Sequence, residues 1–525
     1  MNPGVLGLRG LVIFPIYLLV ILLISWSSRR RWPTSNDYLN ASRSLPTWAA
    51  ALSFLAYNCG SIEIIGMSAM AAQYGVQALH FYWIGGIPGM LFMGVVVLPI
   101  YMRTGARSLP EYLGMRFGQR VRLLDACLCM AGTAGSAGVA LYALAQVLHV
   151  LLGWTFVAGA LASALVVFAY VLVGGVRATI FTSVFQLFVM IAGLTPLVFL
   201  TVHFNAASFA ERSMRWRLWE PLRFFSPHAS LDRVGVVIGL GFVISFSYWC
   251  TDFVMLQRAL TARTIDAARK VPLLAGFGKM TIGLLVVLPG VAAPALLRGN
   301  HAASDDASIP ALMSLMFGPT LLALGTAALM ASLMAGLAGN VSGFSALWTE
   351  EVYRARMQPG RSERHYIGVG RAAVLFCFLL AQIGAYATFY FHDLMEFLQL
   401  IVALFYAPVF AAVLAGVLRK RTSGTGAFAG ILLGVFSALA LLVEYWTRHI
   451  NFGSQMSVNF YAAILSFSVA LLGCMLYKPL PVTNAKADRI GLDRDLLAAI
   501  RPTPSLAALS AALLAICAVL NLIWW

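Results

Sequence analysis

Long apolar segments recur along the whole chain and are separated by short polar stretches. Each is about 20 residues or longer, which is the length an α-helix needs to cross roughly 30 Å of hydrocarbon. These segments are apolar on all sides, so the pattern predicts membrane-spanning helices rather than the alternating strands of a barrel. We predict about fourteen spans, at residues 8–26, 47–75, 79–102, 123–152, 154–175, 179–202, 232–256, 271–297, 318–350, 366–390, 393–417, 425–446, 456–477 and 504–524.

Two of these spans carry an interruption. Glycine, small polar and aromatic residues replace hydrocarbon side chains in "AYNCGS" at 56–61 and in "SFSYWCTD" at 245–252. A pair of broken helices exposes backbone carbonyls midway across the bilayer and is typical of a transport site. The two spans are the second and the seventh, and this spacing of five suits two inverted repeats of five helices. Ordinary helix packing through small residues is the alternative explanation for either break.

Composition and charge placement agree with a membrane protein. Of the 525 residues 60% are hydrophobic and 11% are charged, and the mean hydropathy is +0.84. The 36 Lys and Arg residues outnumber the 20 acidic ones, but 26 of the 36 fall in one alternate set of loops and only eight in the other. The positive-inside rule therefore predicts a multi-pass protein of the cell membrane with both termini outside. The expected partner is the lipid bilayer, and nucleic acid is not one.

Two other features of the sequence suggest ordinary structural roles. The outer loop "ERSMRWRLWEPLRFF" at 211–225 is basic and rich in tryptophan, which predicts a helix lying on the outer leaflet. The seven cysteines lie mostly inside apolar spans without metal-ligand spacing, so we expect buried thiols.

Few charged residues fall inside the predicted spans. A charge in the hydrocarbon costs about 2.5–3.5 kcal/mol on insertion scales, so Glu63, Asp252 and Lys279 each require a partner or a cavity. Asp125 and Glu350 fall near helix ends, where we expect headgroups and water to solvate them.

Six sequence blocks in order resemble the solute:sodium symporter family, which includes the sodium–glucose cotransporters and proline permease. The resemblance implies an all-α integral membrane fold of the LeuT type, a five-plus-five inverted repeat whose first and sixth core helices are broken. The blocks are "SNDYLNASRSLPTWAAALS" at 35–53, "LPIYMRTGARSLPEYLGMRFG" at 98–118, "GGVRATIFTSVFQ" at 174–186, "YWCTDFVMLQRAL" at 248–260, "ALMASL" leading to "ALWTEEVYR" at 328–354, and "RKRTSGTGAFAGILLG" at 419–434.

The resemblance also implies a sodium site, which this chain matches incompletely. Ala56 and Cys59 match two backbone ligands, Ala328 a third, and Ser332 a hydroxyl ligand, but Ala331 replaces the second hydroxyl. A hard cation needs several oxygens, so the loss of one should weaken Na⁺ binding. Ser183 also stands where relatives carry an aspartate on the sodium exit route. The expected coupling ion is Na⁺ or, given these departures, H⁺, and no other cofactor is expected.

For the solute, the resemblance to the sugar cotransporters aligns six residues with positions that line or gate the pocket: Asn58, Glu63, Tyr248, Trp249, Lys279 and Gln399. Glu63 has two interpretations, a structural ion pair with Lys279 or a carboxylate that contacts solute or carries a proton. A carboxylate there favours hydroxyl-rich or cationic solutes over anions. Tyr248 and Trp249 suit a core equally well. We expect Asp252 to cap a helix or to pair with Arg258.

The sequence thus predicts a secondary active transporter that moves a small polar organic solute by alternating access. The alternatives are a transporter-like solute sensor and a proton-coupled or uncoupled carrier. A membrane enzyme is disfavoured because no HEXXH or GXSXG motif is present. We expect residues 1–46 to form an N-terminal helix and inner loop, 47–417 the transport core, and 418–525 accessory helices.

Overall fold

The computed structural model describes residues 7–29, 45–60, 62–204, 214–219, 222–226, 230–297, 305–391, 393–419, 423–476 and 500–525. Every regular element in these ranges is helical. The topology prediction depends on basic loops, and two of them, at 30–44 and 478–499, lie outside the described residues. Ser61, part of the 211–225 loop and the first ten residues of the 35–53 block also lie outside them.

In the part of the chain that the structure describes, nineteen α-helical ranges follow the apolar segments, and one of them, Phe156–Phe204, contains two helices separated by a kink. Their bounds are α1 Gly7–Arg29, α2 Thr47–Asn58, α3 Met67–Tyr74, α4 Ile87–Phe92, α5 Leu98–Thr104, α6 Leu109–Phe117, α7 Gln119–Leu152, α8 Phe156–Phe204, α9 Ser245–Thr251, α10 Phe253–Ala259, α11 Ile265–Leu296, α12 Ser308–Met316, α13 Pro319–Ala346, α14 Glu363–Thr388, α15 Leu394–Ile401, α16 Ala407–Leu418, α17 Gly424–Trp446, α18 Gln455–Leu476 and α19 Pro504–Ile523.

Shorter helical segments join several of these helices. π-Helical segments occupy Ile62–Gly66, Phe81–Gly86, Met93–Val97, Gly235–Ile244, Leu347–Met357 and Val402–Tyr406, and 3-10 turns occupy Gly75–Leu79, Met214–Trp216 and Asp305–Ala307. A π turn inserts one residue into the helical register and often occurs at functional sites.

The number of spans is smaller than predicted if only long helices are counted. Within the described residues ten helices are long and apolar enough to cross a bilayer, and two bent pairs raise the number to as many as twelve. The remaining two predicted spans correspond to shorter apolar helices, Pro15–Ser27 and Phe156–Leu172. The total of fourteen therefore remains a prediction.

The two predicted spans 154–175 and 179–202 are two helices that follow each other within the range α8. A kink at Gly175, with φ 60° and ψ −167°, separates them. Only glycine adopts this conformation without a steric penalty, so the chain bends there without a loop.

Both predicted breaks are present. α2 stops at Asn58 and the helix resumes at Ile62, with the two halves bent by 55°. The second break is narrower than the segment 245–252 suggested: α9 is helical to Thr251, only Asp252 is extended, and α10 starts at Phe253 after a bend of 59°.

The Trp-rich outer loop does not form the predicted interfacial helix in its described part. Only the 3-10 turn Met214–Trp216 is helical, and Trp216 and Trp219 are buried against protein rather than lipid. Trp219 donates its ring N–H to Asn521 Oδ1 at 3.0 Å, and Leu218 N donates to Trp524 O at 2.8 Å. The tryptophans hold this loop against the end of α19.

Candidate functional site

The first break lies where α2 passes α13. The helical ladder ends with Cys59 N donating to Leu55 O at 2.9 Å, which leaves the last carbonyls of α2 without intrahelical donors. A Cβ on Gly60 would lie 3.2 Å from the Cα of Gly336 in α13. This close approach of two backbones explains why a glycine occupies the break. The carbonyl end of a helix carries partial negative charge and favours a cation.

The second break is fixed by the side chain of Asp252. One carboxylate oxygen caps α10 by accepting from Met255 N at 2.8 Å, and the other accepts from the Tyr406 hydroxyl at 3.2 Å. The predicted capping role of Asp252 is thus observed. Arg258 instead donates to Ser53 O at 3.1 Å, and its guanidinium lies 5.0 Å from the Tyr57 ring centroid. Arg258 therefore ties the second broken helix to the first.

The two broken helices also meet at the level of the breaks. The amide of Asn58 donates to the Tyr248 hydroxyl at 3.3 Å, and Phe54 stacks on Trp249 with ring centroids 5.7 Å apart. The predicted breaks thus share one region of the molecule, which is the geometry a midplane site needs.

A buried ion pair lies at this meeting point. Lys279 Nζ donates to Glu63 Oε2 and to Asn58 Oδ1, and both charged side chains are almost fully buried. The ammonium also lies 5.0 Å from the Tyr82 ring centroid and 5.8 Å from that of Trp249, which adds cation–π attraction. The pair that the sequence offered as one interpretation of Glu63 therefore exists, and it makes the site neutral overall.

A cavity of about 70 Å³ opens beside this ion pair, and all six predicted solute residues line it. Glu63 Oε1 and Gln399 Oε1 have no hydrogen-bond partner among the described residues, so both oxygens can accept from a solute. Buried polar atoms without partners are costly and often mark a ligand or water position. The volume is below the 300–1,000 Å³ typical of ligand pockets. The helices that line the cavity must therefore move apart before a solute can bind.

Tyr82 is a cavity residue that the sequence did not single out. Its phenol lies beside Glu63, and its ring packs against the Lys279 ammonium. It stands in "FYW", an aromatic run within an apolar span, and nothing in that run distinguishes a pocket side chain from a core one.

Two of the candidate sodium residues are in contact. The Ser332 hydroxyl donates to Cys59 O, which joins α13 to the end of α2. Ala56, Ala328 and Ala331 are fully buried, and Ala331 offers only a methyl group. The residues thus fit a cation site that is short of one side-chain oxygen. Ser183 bonds to Thr179 O of its own helix.

A second and larger cavity, of about 580 Å³, lies at the face that carries the arginine-rich loops. Its charges are largely paired: Glu351 accepts from Arg122 at 2.8 Å and from the Ser108 hydroxyl, and Arg354 pairs with Glu350 at 3.2 Å. Phe253, the first residue of α10, lines the same cavity. The cavity therefore touches the half-helix that follows the second break.

Comparison with known proteins identifies the relatives. The sodium:solute symporter family model matches residues 38–434. The chain belongs to this family. It is 26% identical to a sodium/glucose cotransporter of Vibrio parahaemolyticus over 496 residues, covering 88% of this chain and 90% of the relative. It is 27% identical to a sodium/mannose cotransporter of Bos taurus over 485 residues, covering 85% of this chain and 81% of the relative.

A solved structure agrees on the fold. A Na⁺-coupled sialic acid symporter in a substrate-bound outward-open state matches with a TM-score of 0.74 and 17% identity, covering 90% of this chain and 99% of the other. The predicted LeuT-type architecture with broken first and sixth core helices is therefore confirmed. As a member of the sodium:solute symporter family, the protein is a cation-coupled symporter of a small-molecule solute, with Na⁺ as the coupling ion of the family.

Proposed function

We propose that this symporter carries a neutral, hydroxyl-rich solute, such as a monosaccharide or polyol, through the cavity between the two broken helices. The observation that carries the proposal is the convergence of all six predicted solute residues on that one cavity. Glu63 Oε1 and Gln399 Oε1 supply acceptors, and the Tyr248 hydroxyl, which accepts from Asn58, is free to donate its proton. Hydroxyl groups match such a mixed lining.

The charge balance of the cavity narrows the solute class. Because Lys279 neutralises Glu63, an anionic or cationic solute would bring an uncompensated charge into a buried site, which costs several kcal/mol. The relatives named for glucose and for mannose fit this class. Aromatic side chains of Trp249 and Tyr82 offer apolar surface to the faces of a sugar ring.

Alternating access would expose this cavity to each side in turn. The pocket is smaller than a hexose requires, so solute entry needs the broken helices to part, and their contacts through Asn58 and Tyr248 are the ones that must loosen. We propose the inner side to be the arginine-rich face.

The test is Na⁺-driven uptake into proteoliposomes of radiolabelled D-glucose, D-mannose and mannitol, with gluconate and choline as charged comparators. We expect uptake of at least one neutral probe and of neither charged one. Uptake of gluconate or choline in preference to the neutral probes would contradict the proposal.

Variants of Glu63 and Lys279 test whether the ion pair contacts the solute or only stabilises the fold. Glu63→Gln and Lys279→Gln each leave one buried charge unpaired, which should destabilise the protein by about 3–5 kcal/mol. The double variant removes both charges and should recover most of that stability, measured by thermal unfolding in detergent. Because it lacks the charges of Glu63 and Lys279, it should lose most of its uptake. A stable double variant with normal uptake would show that the pair is only structural.

A further inference from the structure

Asp125 is the least expected acidic residue in the structure. It lies in the second turn of α7, a helix of 34 residues that is about 51 Å long and so exceeds the roughly 30 Å of hydrocarbon. The sequence therefore suggested a solvated helix end. Instead Asp125 has no exposed surface at all, so neither headgroups nor bulk water reach it.

The surroundings of Asp125 do not compensate a negative charge. Oδ1 accepts a weak hydrogen bond from the Cys129 thiol at 3.6 Å, and Oδ2 has no partner among the described residues. The nearby charged group is another carboxylate, Glu351 of the Leu347–Met357 segment. Arg122, one turn before Asp125 on α7, is occupied with Glu351 at 2.8 Å.

Phenol and thiol groups also interact with Asp125, and the thiol of Cys129 interacts with Asp252 as well. Tyr101 of α5 interacts electrostatically with Asp125, as do Cys127 and Cys129 of α7. Tyr101 packs its ring 4.8 Å from that of Tyr112, and both hydroxyls are buried without a partner among the described residues. Asp125 Oδ2 and the Tyr101 hydroxyl thus both have unused hydrogen-bonding capacity.

An ionised carboxylate in such a place would cost several kcal/mol, whereas a protonated one costs only its hydrogen bonds. The geometry points to a proton-binding site at Asp125, separate from the solute cavity and not part of the sodium site.

Release of the proton rests on the alternating-access cycle proposed above. Glu351 and Arg122 line the 580 Å³ cavity at the arginine-rich face, together with Phe253 of α10. Asp125 holds a proton in the present conformation and gives it to water in that cavity when the Leu347–Met357 segment, whose Glu351 interacts with Asp125, moves away. The O–H bond of the acid breaks and water accepts the proton.

Infrared difference spectroscopy of the purified full-length protein tests proton binding without any solute. We expect the wild type at neutral pH to show the carbonyl stretch of a protonated carboxylic acid, which Asp125→Asn removes. Asp266→Asn is the matched control, because Asp266 is half-exposed and paired with Lys270 at 2.5 Å, and it should leave that band unchanged.

A second variant keeps the acid and therefore avoids any folding defect from its removal. Cys129→Ser replaces the weak thiol donor by a stronger hydroxyl donor, so the same band should shift to lower frequency. Reversible loss of the band on raising the pH supports release. A wild-type spectrum without the band, or a band insensitive to both Asp125→Asn and Cys129→Ser, overturns the inference.

The pH dependence of solute uptake tests whether Asp125 releases its proton during transport. In Na⁺-driven D-glucose uptake, the wild-type rate should rise with pH on the side of the arginine-rich face, and Asp125→Asn should make the rate independent of that pH. Equal pH dependence of both proteins would contradict proton release during the cycle. Absence of D-glucose uptake by the wild type would count against the proposed solute, while the infrared result would still decide the proton site.

Discussion

At the scale of single residues, the candidate sodium site shows how much one missing atom can matter. Ser332 and the Cys59 carbonyl already touch, so the site has its backbone frame and one hydroxyl. Ala331 adds no oxygen at the neighbouring position. A Na⁺ ion bound there would keep a water or leave a coordination position weakly filled.

Ala331→Ser should therefore increase Na⁺ affinity several-fold by supplying the missing hydroxyl. The measurement is the Na⁺ concentration dependence of uptake, or of thermal stabilisation where a solute is absent, because an ion that binds the folded state stabilises it. Ala323→Ser is a matched control, since Ala323 is equally buried on α13 but two turns away. An unchanged Na⁺ response would show that the hydroxyl at 331 is not a ligand.

Single residues also differ in how well the sequence predicts their role in the site. Glu63 and Lys279 were recognisable because isolated charges in a span need a partner, and the pair satisfies that need. Tyr82 was not recognisable, because an aromatic residue in an apolar span looks the same whether it faces a cavity or the core. Asp125 was misjudged because distance along a helix does not reveal which neighbours cover its end.

At the scale of helices, the breaks depend on close backbone packing as much as on local helix propensity. Gly60 meets Gly336, and Gly339 leaves room for the ring of Tyr57, whose hydroxyl donates to Asn340 Oδ1 at 2.8 Å. α13 therefore presents a flat surface against which the first broken helix ends.

Gly339→Ala should push α2 away from α13, because a Cβ there would overlap the Tyr57 ring. We expect a loss of stability of about 1–3 kcal/mol, the usual cost of overpacking, and a loss of most Na⁺-driven uptake. Gly368→Ala is the control, since a Cβ on that exposed glycine of α14 meets nothing within 4 Å. Full uptake by Gly339→Ala would mean that the contact is not needed for transport.

Helix existence was predictable from hydropathy, but helix ends and breaks were only partly so. The segment 245–252 contains polar residues throughout, yet only Asp252 leaves the helix, because its side chain caps the next one. The two helices within α8 meet close to the predicted boundary, because Gly175 adopts a non-helical conformation there. The outer loop is buried by contacts with α19 that lie some 300 residues away in sequence, which a local amphipathic pattern does not encode.

At the scale of the whole molecule, the fold was predictable because the bilayer imposes the same requirement on every span. Every span must satisfy its backbone internally, so hydropathy alone specifies most of the helices. Orientation rests on a different signal, the unequal distribution of Lys and Arg between alternate loops, and it remains a prediction with both termini outside.

Cysteine labelling tests that orientation directly. Cys127 is the exposed one of the seven native cysteines, so Cys127→Ser gives a background with buried thiols only. In it, His449→Cys lies in a loop predicted outside and Arg364→Cys in one predicted inside, and both positions are exposed. A membrane-impermeant maleimide applied to intact cells should label the first variant and leave the second unlabelled until the cells are permeabilised. The arginine-rich cavity would then face the cytoplasm. The opposite labelling pattern would invert the molecule and place that cavity outside.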